Sequence, residues 1–145
     1  MTLDNLIGKS LEEIAPDAGA INRLLEAAQR NIADARIDGL SNENKFDMAY
    51  KAIMQLANLS LQASGFRTLT SKPGHHQTMI QSLPKTVGID IDQMIVLDSL
   101  RKQRNVADYS GDLVTDSTMD ECLAQAESLY DTVSNWLETS HPELS

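Results

Sequence analysis

The sequence has little of what would mark a disulfide scaffold, a membrane span or a broad nucleic-acid surface. Its 145 residues include a single cysteine, Cys122. No internal disulfide can form, one thiol cannot complete a structural zinc site, and a reduced core thiol is expected. The longest uninterrupted apolar run is four residues, Met94 to Leu97. A membrane-spanning helix needs roughly 20 apolar residues, and a secretory signal also needs a longer apolar stretch. The expectation is a cytoplasmic chain without membrane contact. Aromatic residues make up 4%, which leaves the core to Leu, Ile, Ala and Met and favours packed helices. Lys and Arg are absent beyond position 104: residues 1–104 carry all twelve of them with twelve acids, and residues 105–145 carry nine acids. The net charge of -9 therefore lies wholly in the final segment. This excludes a broad, nonspecific grip on phosphates and leaves only a local contact open.

What is present is helical periodicity. Glycine, proline and small polar residues break the chain at Asp38-Gly39, at Gly65 through Gly74, and at Ser110 through Ser117. Before the first break, Ile21, Leu24, Leu25, Ala28, Ile32 and Ala35 recur at three- and four-residue steps, with Asp17 placed to cap them. After Ser41 a second stripe runs through Phe46, Ala49, Tyr50, Ile53, Leu56, Ala57 and Ser60, and Gly65 can close it in the left-handed conformation. Met79, Ile80 and Leu83 predict a short helix ending before Pro84. A third long helix is expected from Asp90 through Ile91, Met94, Ile95 and Leu97 to about Tyr109, with Gly111 ending it. Thr118-Met119-Asp120-Glu121 has capping-box spacing and predicts the start of the last helix. Its stripe, from Met119 and Cys122 to Trp136 and Leu137, is nearly heptad. That stripe suits either an internal core or a dimer interface. No segment alternates apolar and polar residues over five positions, so no strand is expected. The spacing predicts an all-α fold: one domain over residues 1–145 with its core in about 17–138, an up-and-down four-helix bundle with a short extra helix between the second and third long helices.

The polar segment Leu100 to Tyr109 differs from ordinary bundle surface. One helical turn separates Arg101 from Asn105, Arg104 from Asp108, and Asn105 from Tyr109, which gathers hydrogen-bonding groups on adjoining faces. The plain alternative is an exposed Arg104–Asp108 pair worth about 0.3–0.5 kcal/mol, with Tyr109 packed on the next helix.

The string Arg104-Asn105-Val106-Ala107-Asp108-Tyr109 resembles the signature of the HEPN (higher eukaryotes and prokaryotes nucleotide-binding) family. That signature is an Arg, a polar residue that is often Asn, and a His four to six residues after the Arg. The stretch from Asn44 to Phe66, with Ala49-Tyr50 midway, is similar to the second HEPN helix. Gly74-His75-His76 followed by Met79-Ile80 resembles the start of the third-helix region in some small bacterial members. The resemblance covers about residues 17–138. It implies a helical homodimer that brings two Arg motifs into one cleft. The function it implies is either metal-independent endoribonuclease activity, often as a toxin paired with a nucleotidyltransferase-like antitoxin, or noncatalytic binding of RNA or a nucleotide. Arg104, Asn105 and Tyr109 then take the catalytic positions, with Arg101, Lys102, Asp108, His75 and His76 as substrate-binding candidates.

Tyr109 stands where the signature has His. Metal-free RNA cleavage needs a group to take the proton of the attacking 2′-hydroxyl, while an Arg offsets charge on the phosphate. With reference pKa values of about 6.5 for His and 10 for Tyr, an unperturbed Tyr is only about 0.1% ionised at pH 7. The substitution favours a noncatalytic or weakly active binding module over a ribonuclease, unless His75 or His76 supplies the imidazole. Adjacent residues on a helix point about 100° apart, so at most one of the two faces the cleft. Two neighbouring His cannot readily chelate one ion, and nothing completes a metal set, so no metal and no cofactor are expected. A third reading is an assembly protein without a nucleic-acid role. No glycine-rich phosphate loop, Gly-x-Ser-x-Gly elbow or paired Glu-x-x-His motif points to another enzyme class.

Overall fold

The computed structural model describes residues 3–70, 74–111 and 113–145; the side chains of Asp108 and Tyr109 lie outside the described residues. Five α-helices account for most of it: α1 (Ala18–Ala35), α2 (Asn42–Ala63), α3 (His75–Thr86), α4 (Ile91–Ser110) and α5 (Asp116–Ser140). Asp17, Ser41 and Asp90 cap α1, α2 and α4 by accepting a hydrogen bond from a first-turn amide. Gly65 and Gly111 stand just beyond α2 and α4 at φ of 94° and 72°, the left-handed region that glycine enters without a side-chain clash.

α2 is the centre of the molecule. α1 and α5 pack along it and α3 joins them, whereas α4 packs chiefly on α3 and touches α2 and α5 only slightly. The periodic stripe expected on α2 is buried, and so are Ala52, Met54, Leu59, Leu61 and Ala63 on its other sides. Alanine and serine at 49, 52, 57, 60 and 63 keep the backbone thin enough for neighbours on several sides. Ser60 is fully buried and satisfies its hydroxyl on the Leu56 carbonyl at 2.8 Å.

Several local features differ from the periodic reading. β1 (Leu11–Glu13) and β2 (Phe66–Thr68) form a two-stranded antiparallel ribbon in which Leu11 faces Thr68 and Glu13 faces Phe66. Three residues per strand are too few to show alternation. The ribbon returns the chain ahead of α1 to the end of α2, and Leu11 enters the core. α3 continues through Pro84 instead of stopping before it. α5 is capped by Thr115, whose Oγ1 accepts from the amide of Thr118 at 3.2 Å, so Thr118 lies inside the first turn and is not the cap. Beyond α5 the His141 ring meets Trp136 edge-on at 4.8 Å, and a 3₁₀ turn, Pro142–Leu144, brings Leu144 back to the core.

The α5 stripe is used internally. Met119, Cys122, Ala126, Leu129, Val133 and Leu137 are buried, and Leu123, Tyr130 and Trp136 pack against the same core. Cys122 is fully buried, as expected of a core thiol; burial first, then Asp47 and Glu121, pushes its pKa up to about 12. Apolar exposure appears instead on α4, where Ile91, Ile95 and Val106 are 58%, 55% and 58% exposed. Ile91 and Ile95, grouped with the inward set by periodicity, therefore face outward. No described helix is long and apolar enough to cross a membrane.

Truncating a central α2 residue should be costly and truncating the α4 face should not. Leu56→Ala is expected to lower unfolding free energy by about 2–5 kcal/mol, and Ile95→Ala by less than about 0.5 kcal/mol, both read by urea denaturation. Equal losses would contradict the central position of α2.

Candidate functional site

α2 is not buried on every side. Asp47, Lys51, Gln55 and Asn58 follow one another at steps of three and four residues, forming a polar stripe on an otherwise apolar helix. This stripe is one wall of a cavity of about 470 Å³, which His76 and Met79 of α3 and Arg104 of α4 complete. Tyr50 lines it too, although its stacking on Phe46, with ring centroids 6.4 Å apart and planes 5° from parallel, anchors it in the core.

Tyr50 links the two charged-chemistry residues of the cavity. The Arg104 guanidinium lies 5.0 Å from the centre of its ring, within cation–π range. The Tyr50 hydroxyl lies 3.3 Å from Nδ1 of His76. Arg104 also approaches Asp47, Nε to Oδ1 at 3.9 Å. Arg104 and His76 thus come to one cavity from different helices, both seated against one buried ring.

The electrostatics set the protonation states. Burial pushes the Tyr50 phenol up to about 12, against the opposing pull of Arg104 and Arg101, so it holds its proton at any physiological pH. Its hydrogen-bond partner among the described residues is His76 Nδ1, and which of the two donates follows the tautomer of the ring. His76 is held below the usual histidine range, first by burial and then by His75, Arg104 and Arg101. Near pH 7 it is therefore mostly neutral, with one ring nitrogen carrying the proton and the other able to accept.

The other candidates are distributed around this pair. His75 touches the edge of the His76 ring, centroids 4.7 Å apart, and does not line the cavity. Arg101 is largely buried and held by Asp98, Nε to Oδ1 at 2.8 Å, with Lys102 Nζ 3.6 Å from the other oxygen of the same carboxylate. Lys102 lines a different cavity, of about 320 Å³, with Phe46 and Val106. Arg101 and Lys102 thus share one carboxylate, and Arg101 acts with Arg104 on both Tyr50 and His76, whereas Lys102, two positions from Arg104 and about 200° around the helix, opens on another side. Asn105 is exposed and does not line the Arg104 cavity. The expected contacts of Asp108 and Tyr109 fall on side chains outside the described residues. Among the described residues, no group of three His, Cys, Asp or Glu is placed to hold a metal ion.

Periodicity alone misses Tyr50, because a tyrosine in an apolar stripe reads as core. The signal that could have found the wall was the polar sequence Asp47, Lys51, Gln55, Asn58 running beside that stripe.

These features define a helical domain with a cavity that sets a guanidinium beside a neutral imidazole. A family model described as HEPN domain matches residues 21–136, most of the chain, and the protein belongs to the HEPN family. HEPN domains are associated with nucleotide or RNA binding and with ribonuclease activity, and they commonly dimerise. No curated protein matches the sequence.

Burial first, and then the neighbouring His75, Arg104 and Arg101, favour neutral His76. In an NMR titration its midpoint is expected below about 6.5. The unfolded chain takes up this proton at higher pH than the folded one. The stability linked to His76 is therefore complete above about pH 6.5 and is lost as pH falls through the lower folded-state value. A wild-type midpoint at or above 6.5 would contradict the arrangement.

Proposed function

We propose that the chain is a nucleotide- or RNA-binding HEPN module whose phosphate site is the cavity between α2, α3 and α4. The observation that carries this reading is the convergence of Arg104 and His76 on Tyr50. A guanidinium offers a planar fork of donors suited to phosphate oxygens. The neutral Nε2–H of His76 adds another donor, and exposed Lys51 on the same wall adds a positive charge. Phosphate recognition then rests on Arg104 and His76, and the acidic C-terminal segment confines binding to this site. Arg101, Lys102 and Asn105 lie apart from the cavity and take no direct phosphate contact in this proposal.

Endoribonuclease activity is the second reading, and the lowered His76 pKa is what favours it. A neutral imidazole can take a proton at pH 7, where a tyrosine phenol of ordinary pKa is almost wholly protonated. It requires Nε2 unprotonated, so the Tyr50 hydroxyl would have to turn and accept from Nδ1–H. The tautomer with its proton on Nε2 serves binding, and the one with its proton on Nδ1 serves cleavage.

The chain is also proposed to act as a homodimer through the exposed α4 face that carries Ile91, Ile95 and Val106, since the α5 stripe is consumed by the core. A nucleotidyltransferase-like antitoxin is the partner that belongs to the toxin form of the second reading.

Titration with the dinucleotide ApU, followed by amide NMR, should shift residues around Tyr50, His76 and Arg104. Arg104→Ala should weaken binding by about 10- to 100-fold, the loss of one to two charge-assisted hydrogen bonds. His76→Gln should weaken it less. Shifts confined to other surfaces would overturn the proposal, and hydrolysis of RNA that disappears with His76→Gln would establish the ribonuclease reading in its place. Light scattering should report a dimer that becomes monomeric on Ile95→Asp; an Ile95→Asp dimer would place the interface elsewhere.

A further inference from the structure

We infer that the α2 wall of this cavity reads the base as well as the phosphate, and that it selects guanine over adenine; this rests on the cavity being the nucleotide site proposed above. Gln55 and Asn58 are half-buried, lie one helical turn apart and line the cavity next to Arg104. Their amide oxygens are already engaged inside the protein. Asn31 Nδ2 donates to Gln55 Oε1 at 2.9 Å, and Gln62 Nε2 donates to Asn58 Oδ1 at 3.3 Å. Among the described residues, the amide nitrogens Nε2 of Gln55 and Nδ2 of Asn58 have no protein acceptor. Each oxygen thus already has a donor while neither nitrogen has an acceptor, so the unmet demand of these two amides, held in orientation by neighbours on α1 and α2, is for acceptors.

A base edge that fits such a wall must present acceptors without a donor between them. The N7 and O6 edge of guanine does so, while the corresponding edge of adenine presents N7 beside the N6 amino donor. Bound to this wall, adenine would set its amino donor against an amide donor and leave both unpaired, the kind of mismatch that discriminates against the wrong ligand. Met54 and Met79, both largely buried, supply polarizable apolar surface beside the same amides for the face of the ring. A volume of about 470 Å³ falls within the range of sites that take small ligands.

The test compares GpU, ApU and the inosine analogue IpU, which keeps O6 and N7 but lacks the 2-amino group, on the full chain by NMR or calorimetry. GpU is expected to bind at least about tenfold more tightly than ApU, and IpU within about twofold of GpU. Gln55→Glu is the informative variant: one carboxylate oxygen can still accept from Asn31 while the other replaces a donor by an acceptor. It should erase or reverse the guanine preference, with an unchanged thermal midpoint showing that the fold is retained. Should that midpoint fall, Asn58→Asp repeats the same exchange one turn away. Equal binding of GpU and ApU that is lost with Arg104→Ala would overturn the guanine inference and leave the phosphate site standing. Absence of any nucleotide binding would overturn both. GMP measured alongside distinguishes the source: tighter binding of GMP than of GpU, with the guanine preference kept, points to a free nucleotide, and the reverse points to an RNA strand.

Discussion

Almost every side of α2 is buried, and the remaining side is polar. A helix wrapped by α1, α3 and α5 has lost the freedom to turn about its axis, since rotation would bring Asp47, Lys51 and Asn58 into the core and expose leucines. Each buried Leu or Ile contributes about 1.5–3 kcal/mol in favour of one rotation, so the polar stripe is held where it stands. The cavity follows from that constraint: α3 and α4 close over the stripe, and their contributions, His76 and Arg104, meet a wall whose position the core has already set. Preorganisation of this kind lowers the cost of ordering groups around a ligand.

Tyr50 carries the constraint into the chemistry. Its ring belongs to the core through Phe46, its hydroxyl belongs to the cavity through His76, and its face is covered by Arg104. Burial keeps the phenol protonated, the phenol holds the imidazole by a hydrogen bond, and burial together with the nearby guanidinium keeps that imidazole neutral. One residue thereby positions an imidazole and a guanidinium at the same cavity.

Most of the fold was legible because its helices are amphipathic and capped. The stripes of α1, α2 and α5 and the stops at Gly65 and Gly111 are local properties, and each sits where its spacing predicts. What escaped is tertiary or too short to show a period. The β1–β2 ribbon has three residues per strand, Thr115 instead of Thr118 caps α5, and Pro84 rides inside the last turn of α3. The outward position of Ile91 and Ile95 depends on what α4 packs against, and periodicity within one helix does not report its neighbours. The site was half legible. Arg104 and His76 stood out by their chemistry and motif position, whereas Lys102 seemed to join Arg104 only because sequence proximity hides a rotation of about 200°. Tyr50, Gln55 and Asn58 carry no motif, and only the packing of α2 gives them a common cavity.

The most direct measurement is a crystal structure of the protein bound to a short oligoribonucleotide. If α2 organises the site, a phosphate lies within hydrogen-bonding distance of both Arg104 and His76 Nε2, with the adjoining base against Gln55 and Asn58. A phosphate bound instead beside Lys102 in the cavity lined by Phe46 and Val106, with the Tyr50 cavity empty, would contradict this.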